Sequence, residues 1–380
     1  MRIAVNTRLL IKNKLDGIGR FSFEILKRIT TNHPEIEFHF IFDRPFSSEF
    51  IFSKNIIPHI LAPQTRHPIL WWIWFQIRLP KLIKKINPDL FFSPDGFMPT
   101  QISTPTVITI HDINFEHRPK DLAWSHSFFY RKYFKQYAKL SNHIITVSHF
   151  SKKDIIEKYA IDQSKISVMY NGISNIFTEI PEKEKTKIKN QYSAGCDFFL
   201  FIGSLHKRKN IRNLLLAFDI YKSCNPKSKN KLIIIGNKKW WDKKTENDFK
   251  NMKFRSEVIF LGSIEDNIMK SILAAAKALI FTSIFEGFGL PIIEAMKSGV
   301  PVITSNTSAM PEVAGNAALI VNPHDINDIN TAIQKIDTNN ELRSELIQKG
   351  KERIKIFDWK KTSDGIGEIL KKQIHTNGKI

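Results

Sequence analysis

ALIFTSIFEGFGLPIIEAMKSGVPVITS, residues 278–305, decides the fold. It opens on an apolar run, passes through a glycine-containing loop into a short helical pattern, and closes on a second apolar run, VPVITS. A strand, a helix and a strand at this spacing form a βαβ unit, whose strands lie parallel in one sheet. Neither strand alternates apolar with polar residues, as a sheet covered on both faces requires. Pro291 suits a first helical turn and Gly299 a helix end, so the helix is predicted over about 291–298.

The same alternation extends in both directions. FFLFIGS (198–204), KLIIIG (231–236), VIFLG (258–262) and ALIVNP (318–323) complete one set around the quoted unit. RIAVNT (2–7), EFHFIFD (37–43), DLFFSP (89–94), TVITIHD (106–112), HIITVS (143–148) and ISVMYNG (166–172) form an earlier one. The expected architecture is α/β, with two doubly wound parallel-sheet domains facing a cleft. The expected boundaries are 1–177 for the N-terminal domain, 178–196 for a polar, lysine-rich linker, and 197–356 for the C-terminal domain. A last segment, 357–380, contains the amphipathic pattern FDWKKTSDGIGEILKKQI and is expected to pack back on the N-terminal domain, with Phe357 and Trp359 as anchors.

A chain of 380 residues with 42% apolar and 25% charged residues can bury two cores. Its longest apolar run is too short to span a bilayer, and MRIAVNTRLL lacks the features of a secretory signal, so a cytoplasmic location is expected. Cys196 and Cys224 have no CxxC spacing and support neither a disulfide framework nor a thiolate metal site. The balance of 57 Lys plus Arg against 37 Asp plus Glu, a formal +20, favours anionic partners: nucleic acid, acidic lipid or phosphorylated metabolites. One segment, WWIWFQIRLPKLIKKI (71–86), joins tryptophans to a basic end as interfacial helices do. Helix cover for the N-terminal sheet needs a wide apolar face as well, and core packing is the reading preferred over membrane contact.

The candidate chemistry gathers where strands hand over to loops. Gly287 and Gly289 allow a ligand close to the backbone at the mouth of the 291–298 helix, where free N–H groups favour an anion. Glu286 and Glu294 flank that mouth, eight positions apart, and carboxylates accept hydrogen bonds from sugar hydroxyls. The cation an anion needs is offered by GSLHKRKN (203–210), where Gly203 and Ser204 precede Lys207, Arg208 and Lys209. Taken alone that stretch reads as a solvated basic turn; jointly with the glutamates it reads as a diphosphate site. GIGRF (17–21) follows the first strand but lacks the third glycine of a dinucleotide fingerprint, so Gly17 and Gly19 read equally as a tight turn. His111 alone reads as a loop residue, with Asp112 either orienting its imidazole or capping the next turn.

Together these segments resemble the retaining glycosyltransferase family 4, of the two-Rossmann-domain GT-B type, over nearly the full chain. The resemblance is carried by Glu286 and Glu294 within FEGFGLPIIEAMKSGVPVI, by GSLHKRKN, by TIHD and TVSHFSKKDI, by YNG (170–172) and by PEVAGNAALIVNP (311–323). It implies that Glu286 faces the donor hexose and Glu294 the ribose hydroxyls. The amides of Phe288, Gly289 and Leu290 would face the diphosphate, and Lys209 would be the essential lysine with Arg208 as its helper. Members often place an arginine directly after the glycine of the basic turn, where Ser204 stands here, and the split of roles between Arg208 and Lys209 stays open. His111 would lie near the reacting sugar, Ser148 would serve the N-terminal side of the site, and Gly17 and Gly19 would lie near the donor phosphate.

The implied reaction is retaining, metal-independent transfer of a hexose from a nucleotide-diphosphate sugar, with front-face attack and the departing phosphate as base. No D-x-D occurs in the sequence to bind a bridging metal, and no cofactor is expected. The basic turn together with PEVAG most resembles mannosyl-type members acting in lipopolysaccharide, capsule or exopolysaccharide assembly, implying GDP-mannose as donor. The implied acceptor is a hydroxyl of a glycan or a polyprenyl-diphosphate-linked glycan, and the basic N-terminal domain would be drawn to the inner face of the plasma membrane. A nucleotide-sugar 2-epimerase shares the architecture, but the paired glutamates argue against it. A nucleic-acid binder rests on charge alone, without a groove-reading motif or aromatic platform, so no nucleic-acid partner is expected.

Overall fold

A computed structural model describes residues 1–238 and 241–376, and it divides the chain into two compact units. Residues 1–172 and 358–380 belong to the first unit and 173–357 to the second. Of the expected C-terminal segment, residues 377–380 lie outside the described residues.

The first unit holds seven strands: β1 (Arg2–Asn6), β2 (Glu37–Phe42), β3 (Ile56–Ile60), β4 (Leu90–Ser93), β5 (Thr106–Thr109), β6 (His143–Thr146) and β7 (Ile166–Val168). Their order is β3-β2-β1-β4-β5-β6-β7 and every pairing is parallel. β1 is the switch point, pairing with β2 through Ile3 and Phe38 and with β4 through Ile3 and Leu90. In such sheets the crevice for ligands opens at the carboxyl ends beside the switch. β4, β5 and β6 are buried along their whole length, which accounts for their unbroken apolar reading.

Helix Gly17–Asn32 follows β1 and buries Phe21, Ile25, Leu26 and Ile29 at helical spacing. Helix Trp359–Thr376 packs on it, buries Trp359, Ile366 and Leu370, and accepts no space at Gly172, where a Cβ would stand 2.2 Å from Trp359 N. Thr362 Oγ1 also donates to Tyr170 O, fixing this helix to the YNG turn. Trp71, Trp74, Phe75, Leu79, Ile83 and Ile86 of the 68–86 helical stretch are buried in the core of this unit, as the packing reading expected. That stretch widens to a π-helix over Ile73–Arg78 just before Pro80. A proline inside a helix removes a donor and crowds the carbonyl four residues back, and a π-turn gives it room.

The second unit holds β8 (Phe198–Ile202), β9 (Lys231–Ile235), β10 (Val258–Gly262), β11 (Ala278–Phe281), β12 (Val302–Ser305) and β13 (Leu319–Val321). Their order is β10-β9-β8-β11-β12-β13, again all parallel, with the switch between β8 and β11. The two loops that carry the basic turn and the paired glutamates therefore leave neighbouring strands at the same sheet end.

Two elements depart from the sequence reading. β3, IIPHI, is an edge strand that was not expected: Pro58 breaks the apolar run, and an edge tolerates the missing N–H. Within the stretch expected as a linker, Glu182–Ser193 forms a helix of the second unit that packs against helix Asp266–Ala275. Only Ser193 of that helix is buried, so its composition carries almost no apolar stripe to read.

Candidate active site

In the second unit the chain leaves β8 at Gly203, whose N–H donates to Ile235 O at 2.9 Å. The adjacent loop passes so close that a Cβ on Gly236 would lie 1.9 Å from Gly203 O, so only glycine fits there. Ser204 is exposed. Lys207–Lys209 then form a single 3-10 turn, and Asn210 enters the next helix in the left-handed conformation at φ +60°. Its buried amide donates to Thr282 O at 3.1 Å and to Pro323 O at 2.6 Å, tying the basic turn to the loops after β11 and β13. Ile284 N–H donates to Arg208 O at 2.7 Å, a second tie between the same two loops.

These ties bring Arg208 and Lys209 onto Glu286. Lys209 Nζ stands 2.6 Å from Glu286 Oε1 and Arg208 Nη1 stands 2.7 Å from Oε2, while Arg208 Nη1 also donates to Phe285 O at 3.0 Å. Glu286 is 7% exposed and Lys209 9%. Burial pushes the Glu286 carboxyl up, but the charges of Arg208 and Lys209 overcome it and bring it down to about 2. Lys209 also lies over the Phe281 ring, 4.8 Å from its centroid. From the other side, Glu286 N–H donates to Ser308 Oγ at 3.0 Å, and Thr307 Oγ1 donates to Ile284 O at 2.9 Å. The carboxylate is thus held by the β8 loop, while the β12 loop holds its backbone and that of the preceding β11 loop.

Sequence reasoning placed these two cations on a diphosphate and Glu286 on a hexose. In the structure both cations pair with Glu286 itself, and the cluster keeps one net positive charge. Asn210, Thr307 and Ser308 were not singled out as positioning residues. A polar side chain just before a helix was the one available signal, and it is too common to select Asn210.

Gly287 and Phe288 lead into helix Leu290–Lys297, close to the expected 291–298, with Pro291 in its first turn. Gly289 caps it at φ +101°, a left-handed conformation that favours glycine. Leu290 N–H belongs to the first turn, where a helix leaves its donors without internal acceptors. Phe288 is buried edge-on against Phe357, with centroids 5.5 Å apart. Glu294 is buried in this helix, one residue further in than the expected start at 291 implies, because the helix begins at Leu290. A cavity of about 220 Å³ lies against the basic turn, lined by His206, Lys207, Asn210, Trp241, Asp242 and His324 among others; Glu286 and Lys209 are not on its wall.

In the first unit, Gly17, Gly19, His111 and Ser148 gather beyond the carboxyl ends of β1, β5 and β6. Gly17 begins helix Gly17–Asn32, and Gly19 N–H donates to the Asp16 cap at 2.8 Å. A Cβ on Gly19 would come within 2.9 Å of Leu9 O. Phe21 of the same GIGRF stretch meets His111 edge to face at 4.8 Å. His111 Nε2 lies 2.9 Å from Pro94 O, a contact only its N–H form can make, and burial lowers its pKa, so the neutral ring keeps Nδ1 as an acceptor. Asp112 caps the turn: its Oδ1 accepts from Asn114 N at 2.9 Å and Asn114 Nδ2 at 2.6 Å. Ser148 caps helix His149–Tyr159 by accepting from Ser151 N at 3.1 Å, and Ser151 Oγ donates to His111 O at 3.0 Å. One hydrogen-bond and ring-contact chain therefore links the glycine turn, the histidine and the serine.

The chain is similar to known proteins along most of its length. Residues 16–175 match the family described as Glycosyltransferase Family 4, and residues 182–353 match Glycosyl transferases group 1. O-antigen chain mannosyltransferase RfbU of Salmonella typhimurium is 31% identical over 288 residues, covering 74% of this chain and 75% of the relative. The chain belongs to glycosyltransferase family 4. O-antigen chain mannosyltransferase B of Escherichia coli is 29% identical over 365 residues, covering 92% of this chain and 94% of the relative. Among solved structures, WaaG, a glycosyltransferase involved in lipopolysaccharide biosynthesis, superimposes with a TM-score of 0.73 at 15% identity, covering 97% of this chain and 99% of WaaG. Anabaena HepE, crystallised with UDP and glucose, gives a TM-score of 0.75 at 16% identity, covering 98% of this chain and 99% of HepE. At those identities the two structures establish the GT-B fold of the transferase, not its donor. The relatives lend no support to the epimerase alternative.

Proposed function

We propose that this transferase moves a mannosyl group from GDP-mannose to a hydroxyl of a glycan, free or carried on a polyprenyl diphosphate, with retention at the anomeric carbon. The observation that carries the reading is Glu286, buried and held by both Lys209 and Arg208 beside the mouth of helix Leu290–Lys297. Mannose is favoured because both O-antigen relatives are mannosyltransferases by name.

In this account the donor diphosphate competes with Glu286 for the two cations. As phosphate oxygens approach the Phe288, Gly289 and Leu290 amides, Lys209 and Arg208 turn to them and release the carboxylate to the hexose hydroxyls. Glu294 takes the ribose hydroxyls. The cations then stabilise the charge that develops as the bond between the anomeric carbon and the phosphate oxygen breaks, and the departing phosphate accepts the proton of the acceptor hydroxyl on the same face. Positive charge for the leaving group comes from side chains, so the reaction is proposed to need no metal. Within the first unit, His111 is proposed to accept a sugar-hydroxyl hydrogen bond at Nδ1, with the glycine turn and Ser148 beside it.

The test is a thermal-shift panel of GDP-, UDP- and ADP-sugars in buffer with a chelator. Stabilisation by GDP-mannose above the others supports the donor assignment; stabilisation by a UDP-sugar alone replaces it, and a shift that needs divalent metal overturns metal independence.

A further inference from the structure

A cavity on the second unit has no part in the cluster around Glu286. The space of about 220 Å³ against the basic turn is bounded by the first turn of helix Ile211–Cys224, by Trp241 with the first turn of helix Lys243–Asn251, and by His324. Neither Glu286, Lys209 nor any residue of helix Leu290–Lys297 is on its wall, which separates it from the mouth at which the diphosphate is proposed to bind. Its volume falls below the roughly 300–1,000 Å³ of drug-sized ligand sites, and so suits a single sugar-sized ring rather than a whole nucleotide.

The wall carries one aromatic surface, held in place before any ligand arrives. Trp241 Nε1 donates to Glu246 Oε2 at 2.6 Å, and the indole meets Phe249 and Phe260 nearly at right angles, with centroids 6.1 and 5.5 Å apart. Ile211 and Ile284 add apolar area. A rigid indole beside aliphatic groups matches the C–H face of a pyranose ring.

Around this surface stand acceptors that lack a donor. Asn210 is 6% exposed; its Nδ2 is engaged by Thr282 O and Pro323 O, and its Oδ1 accepts no hydrogen bond among the described residues. Asn213 repeats the pattern, with Nδ2 on Pro323 O at 2.9 Å and no donor to Oδ1 among the described residues. Asp242 adds a carboxylate, which accepts from Thr245 N–H at 2.8 Å and keeps Lys207 at 3.6 Å. Donors come from the first turn of helix Ile211–Cys224, which has no side-chain cap over its amides. The cations on the wall already have partners, Lys207 in Asp242 and Arg212 in Asp248. A phosphate group, which mainly accepts, would leave the Asn210, Asn213 and Asp242 oxygens without donors; hydroxyl groups donate as well as accept and satisfy both sets.

We infer that this cavity binds one hexopyranose unit of a neutral glycan, as a carbohydrate site separate from the site of transfer. The inference goes beyond the donor assignment and does not depend on it.

Proton–nitrogen NMR of the full chain carrying ¹⁵N-labelled tryptophan tests it, with Trp241→Phe assigning the Trp241 indole signal. Titration with α-linked mannotriose is expected to shift that signal saturably, and inorganic phosphate to leave it in place. Thr245→Phe, or His324→Trp from the opposite rim, puts a ring into the cavity and should weaken mannotriose binding at this signal about tenfold or more. Neither position belongs to the diphosphate cluster, so unchanged thermal unfolding and unchanged GDP-mannose binding identify the loss as specific to the cavity. No shift with mannotriose, a shift with phosphate alone, or an equal titration in the folded variants overturns the inference. A chain that binds no GDP-mannose yet shifts its Trp241 signal with mannotriose overturns the donor reading and leaves this one standing, so the two fail separately.

Discussion

Glu286 is the residue at which stability and chemistry meet. Its carboxyl is lowered from an ordinary 4.5 to about 2, so the stability it contributes is complete above about pH 4.5 and is lost as the pH falls toward 2. That gap corresponds to about 3 kcal/mol at neutral pH. Glu286→Gln should therefore lower neutral stability by about 3 kcal/mol and flatten the acid limb of the stability profile, as read by urea unfolding from neutral to about pH 3. In the proposed reaction Lys209 stabilises the charge developing on the leaving phosphate and Glu286 holds the hexose, so Lys209→Ala and Glu286→Ala should each reduce kcat by about 10²-fold to 10³-fold. The residue types of this cluster were legible because few reasons exist for cations and a carboxylate to crowd a glycine loop at a strand end. Their mutual pairing was not, because Arg208 and Lys209 lie 77 or more positions from Glu286 and only the fold sets the distance.

At the scale of elements, the βαβ unit of β11, helix Leu290–Lys297 and β12 was legible because strands buried on both faces leave unbroken apolar runs and Pro291 marks a helix start. β3 and helix Glu182–Ser193 were not, one being an edge strand interrupted by Pro58 and the other a surface helix with little apolar face. The loops that frame the site depend on a few polar ties. Asn210→Ala takes the side-chain donor from the Thr282 carbonyl, while Pro323 O keeps Asn213 Nδ2 at 2.9 Å, and should cost about 1–2 kcal/mol, with a raised KM for the nucleotide sugar as the basic turn loosens. Gly289→Ala meets both the left-handed backbone and Ile292 Cδ1 at 3.1 Å, and should cost about 1–3 kcal/mol and weaken donor binding. Calorimetric titration with GDP-mannose separates these effects from global unfolding.

At the scale of the whole molecule, two parallel sheets of seven and six strands place their candidate residues beyond the carboxyl strand ends, where their order reverses. The chain returns to the first unit through helix Trp359–Thr376, which covers helix Gly17–Asn32 and presses on Gly172. Gly172→Ala should force that helix outward and lower stability by about 1–3 kcal/mol, as read by urea unfolding. A net charge of +20 was legible from composition, but which of its cations meet a carboxylate appeared only once the chain was folded. The central claim concerns the reaction of the intact chain. Proton NMR of the product formed from GDP-α-mannose and an alkyl mannoside acceptor, with a chelator present, tests it most directly. The account predicts an α-linked mannoside that Glu286→Ala does not make, whereas a β-linked product, an isomerised nucleotide sugar or equal turnover by the variant would contradict it.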